Sequence, residues 1–451
     1  MKFELSKDFL ADINHLIEVR NDDSINDEIG KLHPADIAEI IHHLSLENGK
    51  YLLDLLDEER AADTLVELDE DYQEKILDTL SPEEIAEQID QLDSDDAADI
   101  LGSLTDEEKD ETISHMQDKD LASEVIHLLK YDENSAGGLM QSEFIKAKAS
   151  WSVKRCVIEL RRQAEDVAQV YTIYVVDEND VLLGVLSLKR LLFANPNALI
   201  KDLYSSDHIK YVKTHNSKEE VADIMRKYDL VTIPVVDRQH VLVGRITIDD
   251  VVDVIQEEAE KDYQMASGIT DNVEANTSIL KNTRSRLPWI LVGILGGVLS
   301  SLILKNYEHE ITINPFLAFF IPLITATGGN VGVQSSAIVV QGLASNDFQL
   351  TGIFKRVIKE LMVGAVIGII CGGLVFGFNY FLNDGDMLMG ITIGLSIFVV
   401  VIIAAIFGTL VPLILEKIKI DPALATGPFV TTSNDILGLS IYFLIAYFMY
   451  Q

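Results

Sequence analysis

One carboxylate in this chain sits where carboxylates are rarely tolerated. Residues 421–450, DPALATGPFVTTSNDILGLSIYFLIAYFMY, are long enough to cross a bilayer, for which about 20 apolar residues suffice, and Asp435 lies within them. A charge near the middle of such a helix costs on the order of 3 kcal/mol, so it normally faces a pore or a partner and marks a path for cations or protons. The plainer alternative is a neutral or hydrogen-bonded Asp435 among Thr431, Thr432, Ser433 and Asn434. Pro428 favours the pore, because proline frees the carbonyl four residues earlier, on Leu424, while Gly427 lets a helix or a hydrated ion come close. Thr431 precedes Asp435 by one turn, which puts its carbonyl and that carboxylate on one side.

Residues 322–341, PLITATGGNVGVQSSAIVVQ, offer a second polar interruption, with Gly328, Gly329, Asn330, Gly332 and Gln334 inside an apolar run. Broken segments at membrane depth are tolerated where they are packed in protein or line water. Close helix packing through glycine explains the same residues. Asn330 and Gln334, four apart on one face, favour a pore wall that also includes Gly328 and Pro428.

The remaining acids are outside the membrane. Residues 1–275 carry 63 acidic and 27 basic side chains, the rest 9 of each, so the whole net charge of −36 is in the water-soluble part. That field disfavours nucleic acid and anionic lipid headgroups and attracts cations. Asp95 and Asp99 put two like charges on one helical face, and Asp250, Asp253, Glu257, Glu258, Glu260 and Asp262 crowd another helix. Both arrangements oppose helix formation unless something neutralises them. A solvated acidic surface accounts equally well for any single one of these residues. Cys156 and Cys371, one in each half, suggest neither a disulfide nor a thiolate metal site. The first sixteen residues have no apolar signal-peptide core, which predicts a cytosolic soluble region.

Three kinds of element must position these groups. A twelve-residue repeat runs through Leu32, Leu44, Leu56, Leu68, Leu80, Leu92, Leu104 and Met116, with helix-capping residues Ser45, Asp57, Asp69, Ser81, Asp93 and Thr105 behind six of them. Glu84, Asp96 and Glu108 fall where a capping-box acid belongs, and Pro34 and Pro82 where a first helical residue does. The repeat predicts a superhelix of short stacked helices over residues 1–130.

Next, YTIYVVDENDVLLGVLSLKRLL from Tyr171 aligns with VTIPVVDRQHVLVGRITIDDVV from Val231 at an offset of sixty, each copy a β-hairpin between helices. This resembles a tandem pair of cystathionine-β-synthase (CBS) domains, over residues 131–248, and implies a regulatory, dimerising module able to bind an adenine nucleotide such as ATP. Residues 249–286 form an acidic connecting helix and linker. Residues 287–451 contain five apolar runs, near 287–304, 315–341, 358–382, 387–415 and 424–450. Lys281, Arg284, Arg286, Lys355, Arg356, Lys359, Lys417 and Lys419 fall in alternate connections, which predicts a cytosolic N-terminus and an external C-terminus.

The fold class expected is thus multidomain: an α-helical superhelix, α/β tandem CBS domains and an all-α five-span transmembrane domain. This order of parts, with the TGGNVGVQSS and DPALATGP…ND runs, is similar to the MgtE family of bacterial magnesium channels and transporters. The resemblance implies a homodimer in the bacterial inner membrane with a central pore, where Asp435 binds hydrated Mg2+ and Thr431 and Gly427 contribute pore-lining groups. It places regulatory Mg2+ ligands on Glu219, Asp229, Asp250, Asp253, Glu258 and Asp262, with partners from the superhelix such as Asp95 and Asp99. Lys261 stands where another acid is expected. Transport of Co2+, Mn2+ or Ni2+ through the same pore is the alternative. An anion channel would want Arg or Lys within the spans, and an enzyme a catalytic grouping that the sequence does not offer.

Overall fold

The computed structural model describes residues 5–164, 167, 169–207, 209–270, 273, 278–344, 353–382, 386–425 and 427–451. Two compact units divide the chain, Met1–Gln256 and Glu257–Gln451.

The first unit begins with α1 (Lys7–Glu18), α2 (Asp22–Ile29), α3 (Pro34–His42), α4 (Leu46–Leu53) and α5 (Glu58–Val66). It continues with α6 (Glu70–Leu77), α7 (Pro82–Ile89), α8 (Ser94–Ser103), α9 (Asp106–His115) and α10 (Lys119–Leu128). The helices from α4 to α9 start behind Ser45, Asp57, Asp69, Ser81, Asp93 and Thr105, as the repeat predicts. Ser81 with Glu84 and Thr105 with Glu108 close capping boxes, and Pro34 and Pro82 open their helices. Each cap occupies backbone N–H groups that the helix itself leaves over, worth about 1 kcal/mol apiece.

Asp93 is the exception. Its side chain makes no cap bond, and Asp96 closes no box there. The carboxylate of Glu143, 49 residues on, takes the Ser94 N–H at 3.1 Å and the Ser94 hydroxyl at 2.8 Å. Alternate helices stack, α3 on α5 on α7 on α9 and α8 on α10, and bury Ile37, Ile41, Leu52, Leu65, Ile76, Ile89 and Leu101. Every such side chain withdrawn from water contributes roughly 1.5–3 kcal/mol, which short helices need because alone they are unstable.

Two βαββα repeats complete this unit. The first has β1 (Ile145–Lys148), α11 (Val153–Gln163), β2 (Ile173–Val176), β3 (Leu182–Leu186) and α12 (Leu188–Leu192). The second has β4 (Val212–Lys213), α13 (Lys218–Tyr228), β5 (Thr232–Val236), β6 (Leu242–Thr247) and α14 (Ile248–Ala266). In both sheets the first strand runs parallel to the second and the second antiparallel to the third. The offset of sixty maps the pairing of Val175 with Gly184 onto that of Val235 with Gly244. Asp177 takes the N–H groups of Asn179 and Val181, and Asp237 those of Gln239 and Val241, which turns each hairpin. The hairpins also bond to one another, Leu182 N–H to the His240 carbonyl and Leu242 N–H to that of Asp180.

Five helices of the second unit are long and apolar enough to cross a membrane: Ile279–Asn306, Phe316–Leu343, Phe354–Phe381, Met387–Lys417 and Gly427–Tyr450, the first to fifth spans. The fourth is the hub, half buried, with the second and third packed on it; the fifth packs on the second, and the first on the fifth. Three expectations change here. The second span is continuous helix over Ile321–Ala344 rather than broken, since its glycines serve close packing without leaving helical geometry. The fifth span helix starts at Gly427, so Pro428 lies in its first turn, where a missing N–H costs nothing, and does not break a helix to free the Leu424 carbonyl. On the first span Gly293 and Gly297, whose four-residue spacing in the sequence suits close helix approach, face open space, and it is Gly296, against Thr432, that meets a neighbour.

Candidate functional site

Asp435 is half-buried in the fifth span. A Cβ built on Gly329 of the second span would stand 3.7 Å from Asp435 Oδ1 and 3.2 Å from Thr431 Cγ2, so one face presents both residues to bare backbone. The Thr431 hydroxyl donates to the Gly427 carbonyl at 3.0 Å. Asn330 and Gln334 are exposed with Ala326 in a stripe at four-residue spacing along the second span. Gly328 does not share that stripe. It is buried, with Val400 Cγ1 3.0 Å and the Asn434 carbonyl 3.8 Å from where its Cβ would be, which makes it a seam residue instead of a pore-lining one.

The end of α14 is seated on the start of the fifth span. A Cβ on Gly427 would strike the Ala266 carbonyl, and one on Gly268 would stand 2.6 Å from Pro428 Cγ. Gly268 also has φ +81, so both its conformation and its neighbour require glycine. Pro428 is thereby covered from the α14 side. Just before this contact, the carboxyl of Asp262 is pushed up by burial, then by Asp421 and Glu258, against the pull of Lys261. Lys261 Nζ lies 3.0 Å from Glu258 Oε1. A fixed ammonium therefore occupies the position where the resemblance expects an acid.

In the first unit the acids converge on α8. Asp95 is buried and accepts from Gln141 Nε2 at 3.1 Å; Gln141 Oε1 accepts from the buried Arg245 Nε at 2.6 Å. Asp99, a turn later, is exposed, so the two are not equivalent members of one face. Asp96, which the sequence suggested only as a cap, has its carboxyl pushed up to about 7 by burial and then by Asp250, Asp99, Asp93 and Asp63. Burial, then the neighbouring Asp249 and Asp253, push Asp250 up to about 6, against the hydrogen bonds of Thr247. Burial raises Asp95 too, and Glu143 to about 7. Asp253 is exposed on α14 and raises Glu67, whose largest perturbation is its own burial. Glu219 and Asp229 lie at opposite ends of α13, about 15 Å apart by helical rise, too far to share an ion within one chain. Among the described residues, no three such side chains form a ready-made metal cage.

These raised carboxyls fix a sign. The folded chain holds protons that the unfolded chain releases, a stabilisation present below about pH 4 and lost as pH rises through 6 to 7. Without divalent metal, thermal melting of the soluble part in the full chain should occur at a higher temperature at about pH 6 than at about pH 8, and Mg2+ should raise it most at the higher pH. Equal melting at both pH values would count against the α8 cluster as a buried, proton-retaining group.

A second carboxylate inside the spans is one that the sequence did not single out. Glu360 is buried near the start of the third span, with the Ser335 hydroxyl 3.3 Å from Oε2 and Arg356 Nε 3.8 Å from Oε1. Its signal was an acid just inside an apolar run, hidden by the basic cluster of Lys355, Arg356 and Lys359.

The MgtE divalent cation transporter profile matches residues 321–445, the MgtE intracellular N domain profile residues 32–134, and the CBS domain profile residues 136–197 and 200–257. The magnesium transporter MgtE of Thermus thermophilus is 36% identical over 326 residues, 72% of each chain. That of Bacillus subtilis is 34% identical, over 71% of this chain and 70% of its own. The crystal structure of the cytosolic domain of the Mg2+ channel MgtE in complex with ATP superposes with a TM-score of 0.51 at 33% identity, covering 54% of this chain and 99% of that one. By these likenesses the chain belongs to the MgtE family of divalent cation transporters, multi-pass membrane proteins that are not enzymes.

Proposed function

We propose that the chain carries Mg2+ across the bacterial inner membrane as a homodimer, through a pore whose ion-attracting group is Asp435. The observation that supports this most is the half-buried Asp435 carboxylate facing Gly329 across the contact of the second and fifth spans. Mg2+ dehydrates reluctantly and takes one or two carboxylates with several waters retained. Two-fold symmetry would supply two carboxylates, balancing one dication where a single one would leave net charge in low dielectric. Thr431, Gly427, Asn330 and Gln334 would line the water-filled path. The charge pattern of the connections supports a cytosolic N-terminus and an external C-terminus.

Cytosolic Mg2+ closes this pore in our reading. Bound at Asp95, Asp99, Asp250 and Asp253 in the first unit and at Glu258 and Asp262 near Asp421, it offsets repulsion among carboxylates and holds α14 against Gly427. Glu219 and Asp229 would each take ions separately. ATP bound by the CBS pair would bias the same equilibrium.

Dye-monitored Mg2+ uptake into proteoliposomes, with the mass of the solubilised protein, tests the proposal. Uptake by a species of twice the chain's mass is expected; uptake of anions in place of Mg2+, or an active monomer, would refute it.

A further inference from the structure

Asn434, one residue before Asp435, is 1% exposed, and among the described residues neither atom of its amide has a hydrogen-bond partner. Such a side chain is costly in a low-dielectric interior, where an apolar residue of similar volume would be more stable. Its amide nitrogen lies against the second span at Gly332, where any Cβ would overlap it; Val430 Cγ1, one turn back, would be 2.9 Å from that Cβ. The fourth span closes on the same residue, since a Cβ on Gly408 would strike the Gly332 carbonyl. The backbone at Gly332 is thus gripped between Asn434 and Gly408.

We propose that Asn434 is the positioning residue for Asp435: its planar amide keys against the bare backbone of Gly332 and sets the rotation of the fifth span. Successive helical side chains differ by about 100° around the axis, so an amide fixed against Gly332 sets the direction of the next carboxylate, which lies beside Gly329. A branched apolar side chain has similar volume but not the flatness to lie there. The inference rests on Asp435 being the pore carboxylate.

The test is Mg2+ flux into proteoliposomes as a function of Mg2+ concentration for Asn434→Leu, Asn434→Ala, Gly332→Ala and the double variant Gly332→Ala/Asn434→Ala. Asn434→Leu and Gly332→Ala should each raise the half-saturating Mg2+ concentration about tenfold or more, with dimer mass and melting temperature retained. The double variant should recover most of what Gly332→Ala loses, because the new methyl fits where the amide was. Native half-saturation in every variant, with maximal flux falling only in step with melting temperature, would reduce Asn434 to packing and overturn the proposal. So would a double variant no better than Gly332→Ala alone. Asp435→Asn measured alongside separates the two ideas: native flux there sinks the parent reading, whereas lost flux with unmoved half-saturation in the Asn434 variants sinks only this one.

Discussion

Asp435→Asn is expected to lower Mg2+ flux into proteoliposomes by roughly a hundredfold while leaving the mass of the solubilised protein and its melting temperature unchanged. The substitution keeps the shape and removes the charge. With protein and lipid around it in place of bulk water, a carboxylate in a span attracts a dication strongly, and about 3 kcal/mol of lost attraction is a factor of roughly 100. Thr431 could supply dipoles only, and in this structure its hydroxyl already donates to the Gly427 carbonyl. Asp435→Glu keeps the charge on a longer arm and should lose much less. Glu360 does not substitute for Asp435, because Arg356 and Ser335 already engage it. An Asn variant that carried Mg2+ at the native rate would remove Asp435 from the pore.

If cytosolic Mg2+ closes the pore as proposed, neutralising Asp250, Asp253, Glu258 and Asp262 together, as Asn and Gln, should leave it open at internal Mg2+ concentrations that inhibit flux through the unsubstituted chain. Closure by metal needs the closed state to bind it better, and a change from mostly open to mostly closed takes on the order of 5 kcal/mol summed over sites. Hydrated Mg2+ on one or two carboxylates is held weakly, so several sites must share that sum. The opposite result has a physical basis as well. If repulsion alone holds the bodies apart, removing four charges should close the pore without metal. Flux or single-channel recordings across internal Mg2+ distinguish them, and inhibition at an unchanged Mg2+ concentration would exclude these carboxylates as the sensor. Lys261 makes the region near Asp421 less acidic than the resemblance suggests, so most of the metal dependence is expected from the α8 cluster with Asp250 and Asp253.

What could be read from the sequence was what local chemistry encodes. Caps such as Ser81 with Glu84 act over three residues, the Asp177 and Asp237 turns over four, and a span declares itself by an unbroken apolar run. Contacts distant in sequence could not be read. Asp95 looked like half of an exposed pair with Asp99, because nothing nearby announces Gln141 and Arg245. Asp96 looked like a cap because Glu143 was invisible from position 93. The glycines of the second span suggested a break for the same reason: whether a glycine bends a helix or admits a neighbour depends on Val400, Asn434 and Gly408, which other spans supply. Gly293 and Gly297 had the spacing for packing, but only Gly296 had a partner.

The Ser94–Glu143 contact also bears on the order in which the chain is made. The cap of α8 comes from a residue 49 positions later, and Ser142 adds hydrogen bonds from its N–H to Ser94 Oγ at 2.9 Å and from its hydroxyl to Glu124 of α10 at 2.9 Å. At roughly 5–20 residues per second, synthesis delivers that cap some seconds after α8 itself. Until then the helix that carries Asp95 and Asp96 ends in bare N–H groups. The superhelix is therefore finished by the first residues of the CBS region, and a graft that exchanged either part at their border would inherit an incomplete α8.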